Sequence, residues 1–132
     1  MKEINLIHLL SNLIRDYEKM YETMVFEVKK KNNTFVTTNV DQKILNLLKV
    51  SPNSIIGKTI ADFPVNKESK KKLLAITEKA WTGKVMIYYD VVFTNKDILF
   101  VCSIKPVLKN GKIEKLEGRC AILDGIDFKG YL

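Results

Sequence analysis

The chain carries few side chains that could act as nucleophiles, metal ligands or general acids and bases. Its single histidine, His8, lies far in sequence from its two cysteines, Cys102 and Cys120. No Cys/His pair, metal-binding cluster or glycine-rich phosphate loop occurs at the spacing that such sites need. Three aspartates fall on separate predicted elements and form no recognisable catalytic pair: Asp62, Asp90 and Asp124. The sequence therefore predicts no catalytic residues, no metal site and no enzymatic turnover.

The composition is that of one globular domain. The chain has 132 residues, of which 46% are hydrophobic and 28% charged, and a domain of this size can bury a core without staples. No stretch reaches the ~18 consecutive apolar residues of a membrane span, and the N-terminal segment lacks the pattern of a signal peptide. We therefore expect a cytoplasmic protein. Its two cysteines are then expected to be small buried hydrophobic residues rather than a disulfide.

The positive charge of the chain comes almost entirely from lysine. The formal net charge is +7, and only Arg15 and Arg119 among the 22 basic residues are arginines. Lysines cluster at 29–31 and 70–72, without the interleaved aromatic residues of a stacking platform. Base and phosphate recognition favours arginine for its planar fork. The sequence therefore indicates a solvated lysine-rich surface and no nucleic-acid partner.

An amphipathic helix is predicted for residues 4–24. Ile7, Ile14 and Tyr21 widen its apolar stripe beyond a narrow coiled-coil seam. Such a face must be buried against its own domain, a second copy of the chain, or both. We expect a homodimer, whose interface follows steps of three and four residues: Leu6, Leu10, Leu13, Tyr17, Met20 and Met24.

The period then changes to that of an antiparallel sheet with short helices inserted. A hairpin is predicted around Asn32–Asn33, followed by a short helix that Asp41 caps and a longer helix at 67–82. Three strands follow, at 85–94, 98–107 and 113–124. This order predicts an α+β fold, in which a five-stranded antiparallel sheet carries helices on one face.

Both faces of the last three strands are rich in apolar residues. In the middle strand, Ser103 and Lys105 mark the outer face, yet Leu99 and Val101 lie on the same side. Met86, Tyr88, Asp90 and Val92 share one face of the preceding strand, and we assign it to the same outer side. A sheet face this apolar needs a cover. The N-terminal helix is predicted to be that cover, with Ile7 and Ile14 over Leu99 and Val101.

The chain resembles the PAS family of sensor domains over about residues 22–127. The resemblance rests on several short motifs in order: Asn39, LLKVSPNSIIGKTIADFP at 47–64, AWTGK at 80–84, KPVLKNGKIEKLEG at 105–118 and AILDGID at 121–127. Where the family has Asp-Ile-Thr, Gly125 and Ile126 follow Asp124 here. The resemblance implies three segments, namely a capping and dimerisation helix at 1–23, a PAS domain at 24–127 and a truncated connector at 128–132.

The resemblance implies a sensory input domain of a bacterial signal-transduction protein. Its output domain in a longer protein would be a histidine kinase of a two-component system, a diguanylate cyclase or a transcription activator. We expect an excised input domain rather than a standalone sensor. The alternative function is a pure protein-interaction module with a solid core and no ligand.

A small apolar ligand would lie between the inner face of the sheet and the 67–82 helix. The resemblance leaves the cofactor open. The long helix lacks the axial histidine of haem sensors, and the chain lacks the reactive-cysteine motif of light-oxygen-voltage flavin sensors, whereas a noncovalently bound flavin stays an alternative that nothing in the sequence favours. The predicted lining of the pocket is Phe63, Leu74, Tyr89, Phe100, Cys102, Ile104, Cys120 and Ile122.

Overall fold

Five antiparallel strands and three α-helices form the part of the chain that the computed structural model describes, residues 6–21, 24–92 and 95–124. The strands make one sheet in the order β2-β1-β5-β4-β3. This arrangement confirms the predicted α+β class. The helices are α1 (Leu6–Met20), α2 (Gln42–Leu48) and α3 (Lys67–Ala80), and the strands are β1 (Met24–Lys31), β2 (Thr34–Val40), β3 (Met86–Val92), β4 (Asn95–Lys109) and β5 (Lys112–Asp124). The predicted connector at 128–132 and the residues after Asp124 lie outside the described ranges.

Two tight hairpins set the strand register. Asn32 and Asn33 have φ of 50° and 64° between β1 and β2, and Asn110 and Gly111 have φ of 53° and 78° between β4 and β5. Two-residue turns with positive φ at both positions match the twist of antiparallel strands, and asparagine and glycine tolerate this conformation best. The predicted hairpin at Asn32–Asn33 is confirmed.

The inner face of the sheet carries α2, α3 and two short 3₁₀ turns, Pro52–Ser54 and Ile60–Asp62. Helix α3 begins where the Asn66 side-chain oxygen accepts a hydrogen bond from the Ser69 backbone N–H at 2.8 Å, which satisfies one of the unpaired first-turn amides. Its inward residues recur at intervals of three and four, and they pack with α2 and the strands into the main hydrophobic core.

The opposite face of the sheet is covered by α1. Leu10, Leu13 and Ile14 form a second buried cluster with Val101 of β4 and Ala121 of β5. An ion pair at the edge of this cluster joins Arg119 to Glu18, with 3.6 Å between Nη1 and Oε1. Each leucine buried in this way contributes about 1.5–3 kcal/mol to stability, so α1 is part of the folded domain.

The N-terminal helix is shorter than predicted, and its buried residues differ from the predicted seam. It ends at Met20, and Met24 begins β1 opposite Cys120 of β5. At Met24 the hydrogen bonding between β1 and β5 therefore determines the backbone conformation, although the apolar spacing of the sequence fits a helix. Leu10 and Leu13, which were assigned to a partner chain, are buried at 0% and 3% exposure against the chain's own sheet. The side chains of Leu6, Ile7 and Met20 lie outside the described residues.

The carboxylate of Asp41 has a role that the sequence did not indicate. We predicted that it caps α2, and it does occupy the N-cap position. Its side chain makes no capping hydrogen bond, however. Instead, Oδ2 accepts a hydrogen bond from the Val25 backbone N–H at 2.8 Å, and the Asp41 N–H donates to the Val25 carbonyl at 3.0 Å. Asp41 therefore joins the start of α2 to the beginning of β1.

A close contact between Phe26 of β1 and Gly118 of β5 sets the position of one inward aromatic ring. The two residues are directly paired across the strands. A Cβ atom on Gly118 would overlap the Phe26 ring. The absence of a side chain on Gly118 thus lets the ring lie flat across β5.

We expect Gly118→Ala to destabilise the protein by ~1–3 kcal/mol, because the added methyl group must displace the Phe26 ring. The same change made in a Phe26→Ala background should cost at least ~1 kcal/mol less. Urea unfolding of the wild type, both single variants and the double variant measures this coupling. Simple additivity of the two costs would show that the ring does not need the glycine.

Candidate functional site

A mostly apolar cavity of about 130 Å³ lies between the inner face of the sheet and helices α2 and α3. An apolar cavity of about 150 Å³ in another protein holds one benzene molecule, so this space suits a compact ligand of that order of size. Its lining comes from every strand except β5, from α2 and α3, and from the segment between them: Phe26, Val28, Thr37, Val40, Ile44, Leu45, Leu48, Ile55, Ile60, Phe63, Val65, Asn66, Ser69, Leu73, Thr77, Tyr88, Asp90, Phe100 and Cys102.

One face of α3 forms a wall of the cavity. Ser69, Leu73 and Thr77 are spaced by four residues, which places them on one side of the helix over about 12 Å. Thr77 is buried, and its hydroxyl donates a hydrogen bond to the Leu73 carbonyl at 2.7 Å. The middle of this wall therefore presents methyl groups and leucine carbons to the cavity, while Ser69 supplies a polar group at its N-terminal end.

That polar end is built around Asp90 of β3. The Ser69 hydroxyl donates a hydrogen bond to Asp90 Oδ2 at 2.6 Å, and the Tyr88 hydroxyl donates to the same oxygen at 3.1 Å. Burial raises the pKa of the Tyr88 phenol, and the nearby Asp90 charge raises it further. Tyr88 is therefore a protonated donor throughout the physiological pH range. We name these three residues, Ser69, Tyr88 and Asp90, the polar cluster.

A lysine lies beside the polar cluster. The Lys72 ammonium is 4.0 Å from the centroid of the Tyr89 ring and 5.4 Å from that of Tyr88, and it donates a hydrogen bond to the Tyr89 carbonyl. Such cation–π contacts hold a charged group over an aromatic face. The lysine cluster at 70–72 is thus not wholly a solvated surface, since Lys72 is half-buried against β3.

The two cysteines face each other across β4 and β5 at the back of the cavity. Their sulfur atoms are 3.0 Å apart, and both are buried free thiols. Cys102 lines the cavity, whereas Cys120 lies beside it in the core. Burial raises the pKa of the Cys102 thiol, and its hydrogen bond with Cys120 adds to the shift. The protonated thiol is a poor nucleophile, so Cys102 contributes an apolar surface to the cavity.

The structure brings together only part of the predicted lining. Phe63, Phe100 and Cys102 do line the cavity. Ile104, Cys120 and Ile122 belong to the adjoining core without reaching the lining. Leu74 is 41% exposed on the outer side of α3, because it lies one position beyond the inward Leu73.

Tyr89 lies on the opposite face of the sheet, because the predicted orientation of β3 was reversed. Ile87 and Tyr89 pack with the α1 cluster, whereas Met86 and Tyr88 pack with the main core. The prediction used Asp90 as a marker of the outer face. A shift of one residue exchanges all side chains of a strand between the two faces, and Asp90 points inward because the polar cluster satisfies its carboxylate.

The cavity residues that the sequence did not indicate come mainly from elements distant in the chain. They include the polar residues Thr37, Asn66, Ser69 and Thr77, as well as the aromatic Phe26. One signal was available in the sequence, namely a single acidic residue inside the apolar run MIYYDVV of β3. A charged residue in such a run lies either at the surface or inside with a hydrogen-bonding partner. For Asp90 the inner position depends on a partner from another element, the Ser69 hydroxyl of α3.

Comparison with solved structures shows which known fold the chain has. Over 91% of this chain and 96% of the other, it superposes on a sensory box sensor histidine kinase from Vibrio cholerae with a TM-score of 0.61 and 15% identity. The light-oxygen-voltage protein of Rhodobacter sphaeroides gives a TM-score of 0.59 at 11% identity, covering 88% of this chain and 68% of that one.

A third matching structure is a PAS domain by name. The PAS-B domain of the Drosophila melanogaster protein Cycle gives a TM-score of 0.55 at 10% identity, covering 76% of this chain and 99% of that domain. No protein-family model matches the sequence, and no curated protein is significantly similar to it. The chain is a PAS-fold domain, as its sequence motifs predicted. At these identities the comparisons define the fold, and the ligand must be argued from the cavity itself.

The cavity does not fit the flavin that light-oxygen-voltage domains are known for. Since a space of this order holds one benzene ring, the three fused rings of a flavin exceed the volume of about 130 Å³. Within the described ranges, no group of three or more His, Cys, Asp or Glu side chains could hold a metal ion. Across the same residues, no helix is long and apolar enough to cross a membrane.

The raised pKa of the Cys102 thiol makes stability fall at alkaline pH. Above pH 9.0, the ordinary pKa of a cysteine, the thiol of the unfolded chain loses its proton while the buried thiol keeps it. The unfolded state then binds fewer protons, so the free energy of unfolding decreases as pH rises. This single group contributes a slope of about 1.4 kcal/mol per pH unit once the unfolded thiol is ionised.

We expect Cys102→Ala to have a shallower loss of stability than the wild type between pH 9 and pH 10.5. Urea unfolding at a series of pH values measures both curves. Between pH 6 and pH 8 the two curves should run parallel, because the Cys102 thiol stays protonated in both states below its ordinary pKa of 9.0, and this range serves as the control. Equal alkaline slopes would show that Cys102 ionises as readily in the folded protein as in the unfolded chain.

Proposed function

We propose that this PAS-fold domain is the sensory input unit of a bacterial signal-transduction protein and that it detects a small, mostly apolar ligand. The observation that carries the proposal is the cavity between the sheet and α3. An apolar wall with a few convergent polar groups is the usual form of a small-molecule site. The polar cluster at one end supplies those groups.

The structural neighbours support the signalling part of the proposal. One of them is a sensor histidine kinase, so an output domain in a longer protein, in the cytoplasm, fits this chain. The domain itself would carry out no reaction, because its one cavity-lining thiol is held protonated and the Asp90 carboxylate is engaged by two hydroxyl donors. The ligand would be a signal rather than a substrate.

The alternative function is a protein-interaction module without a ligand. That function requires no internal space, and protein interiors normally pack to about 0.75 of their volume with few voids larger than a water molecule. A cavity of about 130 Å³ leaves many apolar atoms without contacts, which is costly unless a ligand supplies them. The cavity therefore favours the ligand-binding function.

A matched pair of substitutions tests whether the cavity is hollow. Cys102→Phe directs a ring into the cavity, whereas Cys120→Phe directs the same ring into the packed core beside it. Overpacking a filled core costs ~1–3 kcal/mol or more, so we expect Cys102→Phe to be the more stable variant by at least that amount in urea unfolding. Equal destabilisation would indicate that the space at Cys102 is already filled by protein atoms.

Native mass spectrometry of freshly purified protein tests the ligand directly. We expect the wild type to retain a small molecule and Cys102→Phe to have lost it, because the new ring occupies the same space. Wild-type protein that shows only the mass of the chain, both as purified and after incubation with compact aromatic compounds, would contradict the proposal.

We also propose that the domain forms a homodimer through the exposed side of α1. Leu10 and Leu13 cannot take part, since they are buried in the chain's own fold. Tyr21 at the end of the helix is 57% exposed, and its ring lies 4.9 Å from that of Tyr17. Tyr17 is half-buried against the chain's own core, so Tyr21 is the exposed ring of the two. An exposed aromatic residue is a common anchor in interfaces, so the partner surface would be centred on Tyr21.

Sedimentation equilibrium of the wild type should show reversible dimerisation, and Tyr21→Glu should weaken it by about tenfold or more. The variant should stay folded, because its side chain is largely exposed. Leu74→Glu is the control, since Leu74 is also exposed, at 41%, but lies on α3, on the other side of the sheet from α1. A wild type that is monomeric at all concentrations would rule out the dimer, and an unaffected Tyr21→Glu variant would place the interface elsewhere.

A further inference from the structure

The polar cluster defines what kind of head group the cavity can accept. Asp90 is the one charged residue among the described residues that line the cavity. Two neutral hydroxyls, from Ser69 and Tyr88, converge on its Oδ2 atom at 2.6 and 3.1 Å. Ser69 also lies in the first turn of α3, where the helix dipole favours a negative group. These contacts hold a negatively charged acceptor in place at one end of an apolar space.

From this arrangement, we infer that the ligand is a compact, neutral, mostly apolar molecule with one hydrogen-bond-donating head, a hydroxyl or an N–H. The head lies at the polar cluster and donates to the Asp90 carboxylate, while the body contacts the apolar wall. The same cluster excludes carboxylates of equal size. This inference rests on the proposed function, because it specifies the ligand of the same cavity.

The body of the ligand is defined by the walls. Phe26, Leu73 and Phe100 present only carbon atoms to the cavity, and Thr77 already donates its hydroxyl proton to the Leu73 carbonyl. A polar group in the middle of the ligand would therefore lose its hydration without gaining a strong partner. The volume of about 130 Å³ limits the body to roughly one six-membered ring or an equivalent branched chain.

The charge of the head follows from the groups around it. A ligand carboxylate would lie beside the half-buried Asp90 carboxylate, and like charges this close repel each other. A ligand ammonium would lose its hydration in the mostly apolar cavity, and the Lys72 ammonium, 5.4 Å from the centroid of the Tyr88 ring, offsets part of its attraction to Asp90. A neutral donor avoids both penalties and still forms a charge-assisted hydrogen bond with Asp90.

Three probes of similar size and shape test the inference: benzyl alcohol, toluene and benzoate. Isothermal titration calorimetry of the unmodified domain should show benzyl alcohol binding about tenfold more tightly than toluene, because a hydrogen bond to a charged acceptor adds to the same ring contacts. Benzoate should not bind measurably. This comparison needs no variant, so it does not depend on whether a substituted protein folds.

Two substitutions then locate the origin of the preference. Asp90→Asn keeps the shape of the side chain and removes its charge, so the preference for benzyl alcohol over toluene should fall to about threefold or less and benzoate should begin to bind. Asp62→Asn is the matched control, since it makes the same change at an exposed carboxylate that does not line the cavity. It should leave the preference at about tenfold.

The outcomes separate the two proposals. Equal binding of benzyl alcohol and toluene, binding of benzoate to the wild type, or an unchanged preference in Asp90→Asn would each overturn the assigned head group. In all of those cases the cavity would still bind small apolar molecules, as the proposed function requires. Binding of none of the three probes would overturn the ligand-binding function and this inference together.

Discussion

The fold depends on burying both faces of the two central strands. In β4, the neighbouring residues Val101 and Cys102 are almost fully buried, and in β5 the same holds for Cys120 and Ala121. Successive residues of a strand point to opposite faces, so this burial requires a cover on each side of the sheet. Helix α1 provides one cover, and α2 with α3 provides the other. Without α1, the apolar outer face of the sheet would be exposed to water.

The two covers are packed differently, and this difference creates the site. On the outer face, Leu10 and Leu13 lie directly against the sheet and form a compact buried cluster with it. On the inner face, α3 and the sheet enclose a cavity, which the polar cluster bridges at one end through Ser69 and Asp90. Cys102 lines this cavity and its neighbour Val101 contacts α1. Strand β4 thus provides a short structural connection between the cavity and the N-terminal helix.

Much of the candidate site depends on contacts that a single sequence does not reveal. Phe63, Phe100 and Cys102 could be predicted because their element and orientation followed from local patterns. Tyr89 could not, because the face of β3 depends on whether Asp90 finds partners inside. Those partners come from α3, 21 residues earlier in the chain, and from Tyr88 on the same strand. A carboxylate can lie inward when donors satisfy it, and outward when only water does.

The sequence by itself determined the features that arise from neighbouring residues. Asparagine and glycine specified the turns at 32–33 and 110–111, and periodic apolar residues specified the strands and helices, because these preferences act over a few residues. Tertiary structure decided the rest. Met24, which was predicted to be helical, lies in β1 and pairs with Cys120. Leu10 and Leu13, which were predicted to contact a second chain, pack against the sheet of their own chain. Apolar contacts are not directional, so the local sequence does not specify which surface will bury a given apolar side chain. That surface is defined only when the whole domain packs.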